Sequence, residues 1–429
     1  MVASTDIKFY VHTNNNAPQL QNAYGSMINV LDACLINGIN IGAVSSLTAS
    51  GTTVTALFSS SHNLMQYQVI KITGANQPEF NGEHRILTVP NAQSVTFELA
   101  AVPSATTATG TITASLPPLG WEKPFSSINP NEGGKAAYRS KNLLLPSRPF
   151  LRVVDELDSS WTATYAKYAK VGVVEEMTDI DTMIGGQLPY SSSSPDMNWT
   201  GTGSGASASN GWCKWYYARS NSEYTSAAIN DTYAPTDGDR TWTIIGNDEY
   251  FFICNSTVAG RVNAVCVSGF GHYKNFLAVN SNNVFLIGVL EQATANNMSQ
   301  KICNYNPLLS MPRATIAVFS LNSEFTQAEA RSLGLDFGYG SQWYTGYSDT
   351  AGAPTLLGKI FLAPFYLKTN EGLMGEMPGV KFIPHNRPYS NLIPVRSENN
   401  MILPIDTMNF SVSSTYRYGQ VAFDLGALK

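Results

Sequence analysis

Charge is scarce in this chain. Of its 429 residues only 13% are Asp, Glu, Lys or Arg, about half of the quarter usual in soluble proteins. The 26 basic residues form no cluster and the net charge is −5. That balance argues against a dedicated nucleic-acid binder, because neutralising phosphates needs grouped Lys and Arg. No run of about eighteen apolar residues occurs, so no membrane-spanning helix is expected. The opening MVASTDIKFYVHTNN has no basic segment followed by an apolar one, and no secretory signal is expected there. Cysteine is also rare. Cys34, Cys213, Cys254, Cys266 and Cys303 are odd in number, far apart and set in apolar contexts. This pattern predicts free buried thiols made in a reducing compartment, in preference to a disulfide frame or a zinc site. The Asn-x-Ser/Thr sequons at Asn198, Asn230, Asn255, Asn297 and Asn409 then read as chance matches in a chain rich in Asn, Ser and Thr.

What is present is an ordinary apolar content of 43%, an aromatic content of 11%, and abundant neutral polar residues. A surface of this kind suits a subunit packed against neighbours, where desolvating charges would cost several kcal/mol each. The chain is long enough for two to four domains. Within residues 25–40, GSMINVLDACLINGIN, the residues Met27, Ile28, Leu31, Cys34 and Leu35 recur at three- and four-residue spacing. They share one face of a short helix that ends at Asn37-Gly38, and that face needs a sheet to cover it. A first strand is expected over residues 7–12, before the NNNAP turn.

Residues 43–114 have the composition of a self-contained β domain. Five short β runs (TVTALF, YQVIKI, HRILTV, SVTFEL and GTITA) are separated by Gly, Asn, Pro and Ser clusters. Such spacing is the pattern of a small antiparallel sandwich or barrel, and Asn81-Gly82 can hold a turn of positive φ. The segment LPPLGWEKPF at residues 116–125 then reads as the place where an interrupted chain resumes. The expected organisation is a discontinuous β-rich main body, residues 1–42 and 115–429, with residues 43–114 inserted. The expected fold class is mainly β: an antiparallel sandwich body with a few short helices and a small inserted barrel or sandwich.

Further along, strands are expected at residues 150–154, 165–175, 212–219, 284–290, 356–367, 408–413 and 420–425. The runs 240–254 and 261–270 are expected to pair as antiparallel neighbours, with Pro364 at an edge or bulge of its strand. The TQAE sequence at residues 326–329 has the form of a capping box and predicts a short helix through Leu333, stopped by Gly334. Residues 378–394, rich in proline, are expected as ordered loop. The Ser/Gly-rich residues 187–211 show no apolar period and are expected as an exposed or mobile loop.

The run VIKITGANQPEFNGEHRILTV…SVTFEL…ATGTITA resembles a small β module of tailed-bacteriophage virion proteins. The flanking patches GWEKPF at residues 120–125, AYR at 137–139, FLRVVD at 150–155, WTIIG at 242–246 with YFF at 250–252, GFG at 269–271, GEMPG at 375–379 and GQVAFDL at 419–425 resemble a family of phage tail-associated structural proteins. The resemblance implies a tail-tip, baseplate or neck component of the virion, assembled in the host cytoplasm. It also implies partners among tail proteins and copies of itself. Because the helix in that family leads almost directly into the GWxKxF segment, the resemblance also marks residues 43–114 as inserted.

Candidates for chemistry are few, and no cofactor motif is found. Asp179 and Asp181 beside Glu175 and Glu176 can hold calcium or act as acid and base, against the plainer reading of a solvated turn. His272 can be a general base, but no nucleophile motif accompanies it, and a turn histidine is the simpler reading. GTGSG at residues 201–205 lacks the Lys-Ser/Thr ending of a phosphate loop. The aromatic cluster Trp212, Trp215, Tyr216 and Tyr217 has three readings: core, a subunit interface, or stacking on host glycans. Alternation places Trp215 and Tyr217 on one face and Tyr216 on the other, so at least one face is core. A non-enzymatic tail structural protein is therefore expected, ahead of a receptor-binding protein and a hydrolase. Contacts are expected at the inserted module and at residues 187–211.

Overall fold

The computed structural model describes residues 2–130, 132–220, 231–262, 265–276, 283–290, 316–321, 327–331, 360, 362–369, 372–383, 387–397, 399–410 and 416–427. Over the described residues the protein is mainly β, with antiparallel sheets, one short α-helix continued as a wider helical turn, and two single 3-10 turns.

Residues 39–116 make seven strands of one sheet. Its longest strand, Ile39–Ser50, has too many small and polar residues to announce itself in sequence. Yet Ile39, Ile41, Val44 and Leu47 alternate inward. Register shifts at Ile41 and Ser45 bend it, so its first half pairs with Gly110–Leu116 and its second with Thr53–Phe58. The expected run at residues 84–89 is two strands, Gly82–Arg85 and Thr88–Asn91. Ile39 lies opposite Leu116, so the chain enters and leaves this module on paired neighbours.

The helix and the resuming segment are joined directly. Ser26–Leu31 is α-helical and Asp32–Asn37 continues as π-helix, with Gly38 at φ 74° ending it. Met27, Val30, Leu31, Cys34 and Leu35 are buried, while Ile28 is only half-buried. Wider π turns leave carbonyls available, and that of Cys34 accepts the Leu119 N–H at 2.9 Å. Gly38 is required here, since a Cβ would lie 2.6 Å from the Leu116 carbonyl oxygen. Asp32 takes both Lys123 and the Tyr138 hydroxyl.

The body is a long curled sheet. Its strands run Trp121–Ile128, Gly133–Ser140, Phe150–Glu156, Lys167–Met177, Cys213–Ala218, Val284–Leu290, Val265–His272, Tyr250–Ser256, Trp242–Gly246 and Lys8–Val11, each antiparallel to the next. A further run of strands leads from the free edge of Val284–Leu290 through Gly372–Ile383 to Asn400–Phe410 and Tyr416–Ala427. The strand Tyr250–Ser256 is buried on both faces. Phe251 and Ile253 join the core that holds the helix, while Phe252 and Cys254 join a second core with Leu403 and Phe423.

Several expectations are corrected. Gln327–Arg331 is a strand between two partners, so sheet pairing overrides the local helix signal; Thr326 and residues 332–334 lie outside the described residues. Part of the proline-rich stretch belongs to the strand Gly372–Ile383, where Pro378 and Gly379 are tolerated beside register shifts. The run 240–254 is a hairpin, because Asn247 Oδ1 accepts the N–H groups of Glu249 and Tyr250 and turns the chain. Register also shifts at Pro364, as its ring demands. Cys34, Cys213 and Cys254 are buried thiols and Cys266 is half-buried; Cys303 lies outside the described residues. Asn198 and Asn255 are buried, so neither sequon is open to a sugar in the folded chain. No described helix is long and apolar enough to cross a membrane.

Candidate ligand cleft

On one face of the curled sheet, three neighbouring strands carry cations that have apolar neighbours in sequence. Register sets Lys135 opposite Val154, and Val154 opposite Lys170. In the next row Ala137, Arg152 and Gly172 lie side by side. These positions share one face, since side chains two apart along a strand point the same way. Of these, Lys135, Arg152, Val154 and Lys170, together with Glu156, Asp158, Asp181, Asp196 and Trp199, line a cleft of about 380 Å³.

Residues 187–211 form one wall and are not a free loop where they meet the sheet. Asn198 donates to the Val171 carbonyl at 2.9 Å and accepts the N–H groups of Trp212 and Cys213 at 3.0 and 2.8 Å. Lys170 donates to the Trp199 carbonyl and, at 2.8 Å, to Asp158. Asp158 also accepts the Gly201 N–H at 3.1 Å. The Trp199 ring occupies the space that Gly172 leaves: a Cβ there would meet the indole at 2.7 Å. The Arg152 guanidinium lies 4.5 Å from the centre of the same ring, a cation–π contact.

Three cations and four carboxylates line the cleft, and two of the cations share one carboxylate. Asp181 accepts from Lys135 at 2.8 Å and from Arg152 at 2.7 Å, and Arg152 also donates to the Ile180 carbonyl at 2.9 Å. Burial pushes the Asp181 carboxyl up, but Lys135 and Arg152 pull harder and hold it below the ordinary carboxylate range. Burial draws the Lys170 ammonium down, opposed by Asp158. Arg152 is 4% exposed, yet its Nη1 makes no hydrogen bond. A buried donor without a partner is uncommon and costly.

The residues singled out in the sequence fall elsewhere or take other roles. Trp215, Tyr216 and Tyr217 are 1%, 6% and 0% exposed. Trp215 and Tyr217 enter the core that holds the helix, and Tyr216 enters a separate cluster with Trp161 and Tyr168. No ring face is left on them for a sugar or a neighbouring subunit; Trp212 is half-buried. Of the four carboxylates, Asp181 belongs to the cleft, while Asp179 binds the N–H groups of Asp181 and Thr182 in its own turn. Among the described residues no group of His, Cys, Asp and Glu is arranged to hold a metal ion. His272 ends a strand instead of sitting in a turn, and its ring bonds the carbonyls of Ser147 and Glu249. Gly203 and Gly205 sit in a loop closed by the Thr202–Ser209 bridge.

Sequence reading missed Lys135, Lys170 and Trp199 as site residues, and quoted Arg152 only within a family patch. The signal available was a cation between apolar neighbours in a strand, as in FLRVV and YAKVG.

No family model matches the chain and no curated protein matches its sequence. Among solved structures, an endosialidase of phage phi92 matches at 8% identity and a TM-score of 0.16, over 90% of this chain and 51% of that one. The chain thus spans about half the length of the structure it matches. A TM-score this low identifies neither a shared fold nor a shared activity.

Proposed function

We propose that this chain is a non-enzymatic structural protein of a bacteriophage tail, located at the tail tip or baseplate, that binds copies of itself and neighbouring tail proteins. The family resemblance of the sequence patches motivates the assignment. The observation that supports the assembly role is a loop with an apolar tip, held at its base. Leu143 and Leu144 are 77% and 93% exposed, although the same loop is fastened at its base. Arg148 donates to the Ser140 carbonyl at 2.7 Å, and His272 lies 2.9 Å from the Ser147 carbonyl. Two adjacent leucines held outward favour a partner that covers them, since burial gains about 25 cal/mol per Å² of apolar surface. A chain with half the usual charge suits a packed assembly.

The test is mass spectrometry of purified virions with sedimentation of the isolated protein. The expected result is the chain in stoichiometric amount in particles and self-association in solution. A monomer absent from particles would overturn the reading.

A further inference from the structure

We propose that the cleft between Arg152, Lys135, Asp181 and Trp199 binds a saccharide unit. Its volume of about 380 Å³ falls in the range of small-ligand sites, roughly 300–1,000 Å³. The lining is polar and charged, but each cation already holds a carboxylate: Lys135 and Arg152 share Asp181, and Lys170 holds Asp158. Such a surface has no surplus positive charge for a phosphate or a nucleic acid. It offers donors and acceptors side by side, and a sugar hydroxyl both donates and accepts. Trp199, half-buried and stacked by Arg152 on one face, contributes an aromatic wall whose remaining surface can take the C–H groups of a pyranose.

The buried Nη1 of Arg152 is the second observation. It is a donor on a 4% exposed side chain that lines the cleft and has no acceptor of its own. That atom is closed to solvent in the free chain, and a small shift of the guanidinium brings it to a ring, glycosidic or acyl oxygen of a bound sugar. The donors stand on adjacent strands and Trp199 is fixed against Gly172 and Arg152. The site is therefore ordered before a ligand arrives, which lowers the entropic cost of binding. The inference is independent of the tail assignment, because it concerns binding by the isolated chain.

The experiment is a titration of the full-length protein with a panel of neutral hexoses, N-acetylhexosamines and uronic acids as methyl glycosides. Tryptophan indole N–H resonances are the readout, and Trp199 is assigned from Trp199→Phe. The expected result is a saturable shift of the Trp199 indole with at least one class. Asp181→Asn should weaken it by about tenfold or more, while Tyr190→Ala, on the exposed part of the same loop, should leave it unchanged. Thermal unfolding of each variant separates lost binding from lost fold. Neutral and acidic sugars binding with different strength would define the class. No shift with any member at high millimolar concentration, or binding by Asp181→Asn within twofold of the parent, would overturn the proposal.

Discussion

The Arg85 guanidinium donates to the Leu425 carbonyl at 3.0 Å, across 340 positions of sequence. The same side chain donates to the carbonyls of Ser4, Ile7 and Tyr67. One residue of the seven-stranded sheet thus serves backbone acceptors near both ends of the chain. Arg85 is 1% exposed and bonds no carboxylate; burial pulls its pKa down to about 10, so it stays charged at neutral pH. The module was expected to be an appendage free to face a neighbour, and these bonds fix its inner side instead. Gln68 adds to them by reaching Asn14 and the Phe9 carbonyl.

Arg85→Ala should therefore destabilise the whole chain. Four carbonyls lose a donor in a buried site, and each such loss costs about 1–3 kcal/mol before relaxation. The expected net loss is about 3–5 kcal/mol by denaturant unfolding. A loss under about 1 kcal/mol would mean that the module and body are not coupled through this residue. Replacing residues 43–114 by a short linker should lower stability by a comparable amount, since it removes the same bonds.

The helix was legible because its apolar residues repeat at three and four, and because Gly38 ends it. The body strands at residues 150–154 and 284–290 were legible from continuous apolar runs, which a sheet buried on both faces requires. Ile39–Ser50 was missed because small residues and two bulges blur its alternation. Gln327–Arg331 was misread because a capping box is a local signal, whereas its two strand partners, Ile316–Leu321 and Ala363–Thr369, lie outside that window. The cleft was invisible for a related reason. Lys135, Arg152 and Lys170 become neighbours only through strand register, and Trp199 reaches them only because Gly172 lacks a side chain.

Asp155 links the helix to the sheet and gives a pH signature. It is fully buried, accepts the Met27 N–H at 3.0 Å and the Tyr217 hydroxyl at 2.6 Å, and its pKa is raised from 3.8 to about 6. Burial raises it and the hydrogen bonds only partly offset that. A carboxyl with a raised folded-state pKa stabilises the fold below its unfolded value, and that stability is lost as pH rises through about 6. The difference corresponds to about 3 kcal/mol. Asp155→Asn should flatten the parent's stability-versus-pH curve between about pH 4 and 6. Parallel curves for parent and variant, from urea titrations across that window, would exclude the assignment.

Gly172→Ala tests how the cleft wall is held. A methyl group there would sit 2.7 Å from the Trp199 indole and 3.0 Å from Asn198 Nδ2. The strand backbone cannot move without disturbing its neighbours, so the ring and the segment behind it must shift. The expected cost is about 1–3 kcal/mol, with faster proteolytic cleavage within residues 189–211. Unchanged cleavage with unchanged stability would show that the ring is not held in that space.

Leu143→Lys combined with Leu144→Lys separates folding from assembly. Both side chains lie on the surface of the isolated chain, and the loop base is held by Arg148 and His272, which the substitutions leave intact. Surface changes away from packed features shift stability by about 0.5 kcal/mol or less, so the isolated variant should unfold like its parent. Covering two lysines with a partner surface is a different matter, since each ammonium would lose its water without an arranged counter-charge. The double variant should therefore be depleted from particles in competition with the parent chain, as counted by mass spectrometry of virions from a mixed infection. Equal incorporation of the two chains would mean that this tip faces solvent in the assembly, and the contact surface would have to be sought elsewhere on the body.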